Sequence, residues 1–398
     1  MPAAPSPEFK PAAPQQDAKS AAPQPVLIGS EITRHSSFGR WHPLSVPRVT
    51  VALDLIRAME WIDPAFYVDA PMAEPAEVIR FHDPGYVAAL RTAEAEQQVS
   101  EAVRDRYAIG VGSNPIYPEM YRRPMTGAGG LMLAARMSAG ASARTGIVHC
   151  LGGGTHHGRP DRPSGFCYLN DVVLGMMVWQ ELGLERIAYI DLDAHHGDGV
   201  QDAFVRDERV LTVSVHEEKR WPFTGLADDR GGGGARNLPV PAGLNDSEMR
   251  VLVQEAILPL VRGHRPDAVF VQCGADALEE DPLSRLCLSN RALADAVGNL
   301  RDLAGTLDVP LIVTGGGGYN PFSTGRCWAI LWAVLNRIEV PPVLPPAAEA
   351  VLRALRFPRG AGRNPPEHWF TTLADAPREG PVRRQIRQLV GTVLENRR

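Results

Sequence analysis

Short apolar runs alternate with longer stretches of helical periodicity along most of the chain. Gly146-Ile147-Val148-His149-Cys150, Arg186-Ile187-Ala188-Tyr189-Ile190-Asp191 and Arg209-Val210-Leu211-Thr212-Val213-Ser214 each read as a strand, as do Ala268-Val269-Phe270-Val271-Gln272 and Pro310-Leu311-Ile312-Val313-Thr314. Strands that are apolar on both faces belong to parallel sheets covered on both sides by helices. Apolar residues recur at helical spacing in Val51, Leu55, Ile56 and Met59, a helix that ends before Asp63-Pro64. A second helix candidate lies between Leu131 and Arg144, and a last one starts from Val382. The pattern predicts an α/β fold built on an open parallel sheet with helices on both faces. No repeat with a period of roughly 20–50 residues is visible, which argues against a solenoid.

The chain has 398 residues, which at about 150 residues per domain suggests two or three domains. Residues 1–25 hold seven prolines and seven alanines and almost no large apolar side chain. Such a segment cannot offset its ordering entropy by burial and is read as a disordered tail. Order is expected to begin near Val26. The net charge is −5 and no basic stretch dominates, so no nucleic-acid partner is expected. The five cysteines form no CxxC pair, as in a reducing compartment. No signal peptide and no apolar run near the ~18 residues of a membrane span is seen, so a soluble, cytoplasmic protein with no membrane partner is expected. The 38 glycines and 35 prolines exceed the roughly 12 % of an average chain, and the excess must sit in disordered segments or in functional loops.

Polar residues cluster directly after the apolar strands, where ligands bind in open α/β sheets. Asp191-Leu192-Asp193-Ala194-His195-His196-Gly197-Asp198-Gly199 carries three acids and two histidines at one strand end. Strand alternation would put Asp191, Asp193 and His195 on one side, so that Asp193 and His195 approach one cation, and zinc accepts both oxygen and nitrogen ligands. One acid there would ordinarily be a solvated turn; the cluster points to chemistry. Gly152-Gly153-Gly154-Thr155-His156-His157 brings vicinal histidines past a glycine run, as ligands or as acid/base groups, with Asp191 and Asp198 available to orient the rings. Asp276, just past another strand, is either part of this site or a helix N-cap. Gly315-Gly316-Gly317-Gly318-Tyr319-Asn320 delivers a phenol that would donate to a substrate oxygen gaining charge, or else pack as a loop aromatic. Neither a P-loop, a dinucleotide fingerprint nor a G-x-S-x-G elbow is present, which disfavours nucleotide binding and serine hydrolysis.

These segments, together with Gly165-Phe166-Cys167-Tyr168-Leu169-Asn170-Asp171, resemble the zinc-dependent histone deacetylase family. The family includes bacterial acetoin-utilisation proteins and acetylpolyamine amidohydrolases. The match runs in the family's order from about Arg34 to Leu344 and implies the arginase/deacetylase-like version of the fold. It replaces two or three domains by one catalytic domain at 26–345, with residues 346–398 as an extension packed on it.

The resemblance implies that one zinc ion is bound by Asp193, His195 and Asp276. His157, oriented by Asp198, would be the general base and acid; His156, oriented by Asp191, would hold the water; Tyr319 would polarise the acyl carbonyl. Gly165, Phe166 and Gly317 would line the acyl-lysine channel, with Trp221 or Phe223 as its second wall. The backbone of Asp191, Asp193, His195, Ser214 and Val215 matches an inner potassium site, and Arg48 an internal product channel. The implied substrate is an acylated lysine or another acylated amine, including an acetylpolyamine.

Two stretches depart from the family. Trp221-Pro222-Phe223-Thr224-Gly225 stands where aromatic-Pro-Gly-Thr-Gly is usual, and at the rim only Glu119 is near the position of the acid found in eukaryotic members. A dinuclear arginase-like site would need acids at Gly197 and Leu278, and neither is one. An inactive acyl-lysine-binding scaffold is the rival of another class, against which every chemical group is retained.

Overall fold

The computed structural model describes residues 24–34, 38, 42–139 and 146–395. The described residues form one sheet of eight strands: β1 (Val26–Gly29), β2 (Tyr67–Asp69), β3 (Ile147–Cys150), β4 (Ile187–Asp191), β5 (Val210–Glu217), β6 (Ala235–Val240), β7 (Ala268–Gln272) and β8 (Leu311–Thr314). Their order is β2-β1-β3-β8-β7-β4-β5-β6, and every neighbouring pair is parallel.

Parallel strands require crossover connections, and here helices supply them on both faces. Alternate side chains of each central strand therefore enter different cores. Ala188 and Ile190 of β4 belong with Leu53, Val297 and Leu331, from the helices Val49–Ala58, Asn290–Leu307 and Pro321–Leu335. Ile187 and Tyr189 belong with Leu131, Val173 and Trp179, from the helices Arg122–Ala139 and Asp171–Glu181. This is the layered α/β architecture expected from the apolar runs.

Register decides what the sheet presents. Cys150 pairs with Thr314, Thr314 with Gln272, and Gln272 with Asp191. The carboxyl ends of four adjacent central strands are thus level, and the loops after them emerge side by side. Cross-bonds fasten the row: Thr314 Oγ1 donates to the Cys150 carbonyl at 2.9 Å and Gln272 Nε2 to the Gly154 carbonyl at 3.1 Å.

Three strands escape the apolar-run criterion. β1 and β2 are short, and β6 (Ala-Arg-Asn-Leu-Pro-Val) is an edge strand whose Arg236, Asn237 and Pro239 hide it. β5 runs on to Glu217, and the helix expected from Leu131 starts earlier, at Arg122. Its expected end at Arg144 and tail residues 1–23 lie outside the described residues. The glycine run 231–234 makes the tight connection into β6, where a Cβ on Gly232 would stand 1.9 Å from the Val205 carbonyl oxygen.

Residues beyond Pro346 share the first of the two cores through Leu352, Trp369, Ile386 and Val393. The helix Arg384–Glu395 lies on β6. Arg326 and Asp375, both buried, pair at 2.7 Å, so a lone charge is avoided there.

Candidate active site

The loop after β4 is shaped by its own carboxylates. Asp191 Oδ1 accepts from the Asp193 amide at 3.1 Å, and Asp193 Oδ1 from the His195 amide at 3.0 Å. The expected strand alternation does not carry the cluster, because β4 ends at Asp191. It is this carboxylate-capped turn that points Asp193 and His195 the same way. Asp276 comes from the turn after β7, and its Oδ1 accepts from the Ala194 amide at 2.9 Å. Asp276 is no helix cap: it lies inside a short turn whose N-cap is Gly274.

The ligand atoms of Asp193, His195 and Asp276 all fall within 4.8 Å of one another, and all three residues are buried. His195 Nδ1 is 2.9 Å from Asp276 Oδ2 and 3.2 Å from Asp193 Oδ1. The Gly317 amide donates to Asp193 Oδ2 at 2.6 Å. A Cβ on Gly317 would stand 2.0 Å from Asp276 Oδ2 and 2.9 Å from Asp193 Oδ2, so only glycine lets this backbone close over the carboxylates. Two carboxylates and one imidazole, beside a cavity that Asp193 lines, fit a single borderline divalent cation such as zinc. A second metal finds no donor at Leu278, and a Cβ at Gly197 would already stand 2.2 Å from Asp191 Oδ2.

His156 and His157 each hand Nδ1 to a private carboxylate. His156 Nδ1 lies 2.8 Å from Asp191 Oδ2, and His157 Nδ1 lies 2.7 Å from Asp198 Oδ1. Their rings are 3.9 Å apart, yet they are driven in opposite directions. Burial alone would lower His156, but Asp191 and Asp193 overcome it and raise the ring to about 9. Burial and the neighbouring His156 charge lower His157 to about 3. One ring is held charged and the other neutral, with its Nε2 free of a proton. Asp198 opposes the His157 shift but does not outweigh it, and its other oxygen pairs with Arg159.

Tyr319 is fixed through its backbone: its amide donates to Asp281 Oδ2 at 2.6 Å. Burial and the Asp276 and Asp193 charges push its phenol well above the usual range, so it stays protonated and able to donate. Arg48 Nη1 donates to the carbonyls of Gly316 and Gly318, at 2.8 and 3.3 Å, and so ties down the same glycine run.

A cavity of about 80 Å³ is lined by His156, His157, Asp193, Gly165, Phe166, Gly317 and Tyr319. A second, of about 40 Å³, continues past Arg48 and Gly316. Trp221 closes the other side of His157, with ring centres 4.6 Å apart, and a Cβ on Gly165 would meet its ring at 2.3 Å. Of the loop's two aromatics it is thus Trp221 that packs at the site, against His157 and His195, whereas Phe223 is 72 % exposed. Glu119 is not among the cavity's lining residues. Asp191 and Ser214 are register partners, which brings the backbone of Asp191, Ser214 and Val215 together beneath the site; Ser214 Oγ is engaged with His216 Nδ1 at 2.9 Å. A larger cleft of about 840 Å³ beside Arg291 and Asp375 holds none of the candidate site residues.

Four contributors were not singled out in the sequence. Arg159 and Asp281 act through the groups they hold, Asp171 Oδ1 accepts from the Gly154 and Thr155 amides at 3.2 and 2.8 Å, and Arg123 lines both small cavities. Asp171 alone had a signal, at the end of the Gly165–Asp171 motif.

Fold and site together define an α/β protein with a single-cation donor set beside a histidine pair. The family model described as a histone deacetylase domain matches residues 42–335. Histone deacetylase 6 of Arabidopsis thaliana is 35 % identical over 321 residues, covering 77 % of this chain and 65 % of that protein. Putative histone deacetylase 2 of Caenorhabditis elegans is 33 % identical, covering 78 % of this chain and 61 % of that protein. The chain thus spans under two thirds of the length of these two relatives. The crystal structure of an HDAC homologue from Aquifex aeolicus superposes with a TM-score of 0.86 at 31 % identity, covering 93 % of this chain and 99 % of that one. An HDAC homologue complexed with SAHA superposes with the same TM-score at 32 % identity. The chain belongs to the histone deacetylase family.

Proposed function

We propose that this protein is a zinc-dependent deacylase that hydrolyses the amide of N-acetyl-lysine, or of a similar acylated lysine, in a peptide. The observation that carries the reading is the histidine pair, each Nδ1 on its own carboxylate, set against the buried Asp193–His195–Asp276 donors. Zinc held by those three residues would supply Lewis acidity toward a carbonyl oxygen and a lowered pKa for bound water.

The chain's own groups do the rest. Neutral His157 accepts the water proton at Nε2 and returns it to the leaving amine. Its Nδ1–H stays on Asp198, which keeps the tautomer correct. His156, with its Nδ1 on Asp191, stabilises negative charge developing on the acyl carbon's oxygens, and the Tyr319 hydroxyl donates to the carbonyl oxygen. Phe166 and Trp221 flank the alkyl stem of the acyl-lysine, and a potassium ion beneath the site would be held by the backbone of Asp191, Asp193, His195, Ser214 and Val215.

A peptide substrate is favoured over a polyamine because no long insertion between Tyr86 and Tyr121 walls off the site. The test is a panel of acyl-lysine peptides and acetylated polyamines on zinc-loaded protein. Turnover of the peptides is expected. Turnover of polyamines alone would overturn the substrate class, and zinc binding without any turnover would leave an acyl-lysine-binding scaffold.

A further inference from the structure

The cavities behind the donor cluster hold more positive charge than the chemistry above uses. Arg48 and Arg123 line both the cavity beside His157 and Tyr319 and the smaller one that continues it. Among the described residues that line the smaller cavity, these two arginines are the only charged ones. Two carboxylates line the outer cavity, but Asp193 belongs to the donor cluster and Asp171 Oδ1 is taken by the Gly154 and Thr155 amides. The resemblance to the family implied Arg48 alone, in a product channel; Arg123 is a second cation beside it.

Both guanidiniums are held in place. Arg48 Nη1 is spent on the Gly316 and Gly318 carbonyls, and its Cζ lies 5.5 Å from the centre of the Trp328 ring, while its Nε–H is buried without a partner. Arg123 Cζ lies 4.6 Å from the centre of the Phe38 ring. Burial lowers Arg123 to about 10 from 12.5; Tyr117 opposes this, and the Arg48 charge adds to it more than Glu119 offsets. Two like charges lining one small cavity are costly unless an anion joins them there.

Place decides which anion. One peptide unit separates Arg48 from the donor cluster: the Gly316 carbonyl accepts from Arg48 at 2.8 Å, and the Gly317 amide of the same unit donates to Asp193 Oδ2 at 2.6 Å. With the alkyl stem of the lysine between Phe166 and Trp221, the acyl group is left with the rest of the cavity, which Arg48 and Arg123 line. The smaller cavity, of about 40 Å³, admits roughly three water-sized groups, the size of a carboxylate.

We infer that the substrate is a lysine acylated by a dicarboxylic acid, whose free terminal carboxylate is bound by Arg48 and Arg123. This rests on the deacylase reading above. Guanidinium and carboxylate pair through charge-assisted hydrogen bonds, whereas a neutral acyl chain leaves both charges without a partner and a cationic one is repelled. The reaction needs only water: its oxygen bonds to the amide carbon, the C–N bond breaks, the lysine amine leaves with the proton returned by His157, and the dicarboxylate is released.

The experiment compares peptides carrying acetyl-, butyryl-, succinyl- or succinamyl-lysine on the zinc-loaded full chain and on its Arg123→Gln and Arg123→Lys variants. Succinyl and succinamyl share a shape and differ in the terminal charge. For the natural chain, kcat/KM with succinyl-lysine is expected to exceed that with succinamyl-lysine by about tenfold or more. The ratio falls toward one in Arg123→Gln and stays above one in Arg123→Lys, which keeps the charge. A ratio near one on the natural chain, with acetyl-lysine turned over, overturns this inference alone and requires no variant. A ratio unchanged in a folded Arg123→Gln overturns the assignment to Arg123. Inhibition by free acetate that Arg123→Gln relieves, without any succinyl preference, also overturns it and assigns the cavity to the released acid. Absence of turnover for every one of these peptides would remove the deacylase reading and this inference together.

Discussion

Replacing Gly317 by alanine tests the donor cluster without touching a donor. The new Cβ would stand 2.0 Å from Asp276 Oδ2, and real Cβ atoms do not come within 3.0 Å of such a neighbour. Asp276 or the glycine loop must therefore retreat by about 1 Å, several times the ~0.2 Å that a metal site tolerates in its ligand distances. The retreat also strains the 2.6 Å bond from the Gly317 amide to Asp193 Oδ2, so two of the three donors are disturbed at once. Loss of a single supporting interaction commonly lowers metal affinity 10- to 100-fold. With two donors displaced, zinc affinity is expected to fall about 100-fold, and kcat at saturating zinc to fall as well. Competition against a calibrated chelator measures the affinity, and circular dichroism confirms that the sheet is intact. Zinc affinity within about twofold of the natural protein in a folded variant would refute the placement of Gly317 over the carboxylates, and with it the donor geometry.

Tyr319→Phe removes one hydroxyl and should lower kcat about 100-fold or more while zinc is retained; near-normal turnover at full zinc content would overturn the role of Tyr319. In the metal-free cluster burial opposes a charge on His195, but the Asp193 and Asp276 carboxylates hold it protonated well above the usual range. Zinc must displace that proton, so affinity rises with pH below the raised pKa, and calorimetry in buffers of different ionisation enthalpy should register proton release. Affinity that is flat between pH 6 and 8 would argue against it. His149 is fully buried, and burial lowers it to about 3 from 6.5. Below pH 6.5 the unfolded chain takes up a proton that the folded chain refuses, so this residue costs stability as pH falls, until about pH 3. His149→Leu should remove that loss, making the variant's stability less pH-dependent by about 1.4 kcal/mol per pH unit across the window; parallel denaturation curves at pH 5 and pH 7 would refute it.

Much of the site was legible in the chain because its donors follow apolar strands directly. His156-His157 follow β3, Asp191 ends β4 and Asp193 to Asp198 follow it, Asp276 follows β7, and Tyr319 follows β8. Apolar runs mark such strands, and the carboxyl ends of a parallel sheet are where ligands bind. What remained hidden acts over sequence distance. Asp281 holds the Tyr319 amide from 38 residues away, and Arg159 claims Asp198 from 39 away. Neither lies in a run or a spacing that singles it out.

By itself, then, the sequence determined the layered α/β class, the strands that carry chemistry and the residue types delivered at their ends, because periodicity and strand-end placement are local properties. Only the tertiary structure decided the rest. The level register of Cys150, Thr314, Gln272 and Asp191 brings four distant loops to one point. The opposite charging of His156 and His157 follows from which carboxylate and which neighbouring charge each ring meets once water is excluded. And two aromatics of one loop part company, Trp221 against His157 and Phe223 toward solvent, because a left-handed φ at Phe223 turns its side chain where no pattern along the chain would have placed it.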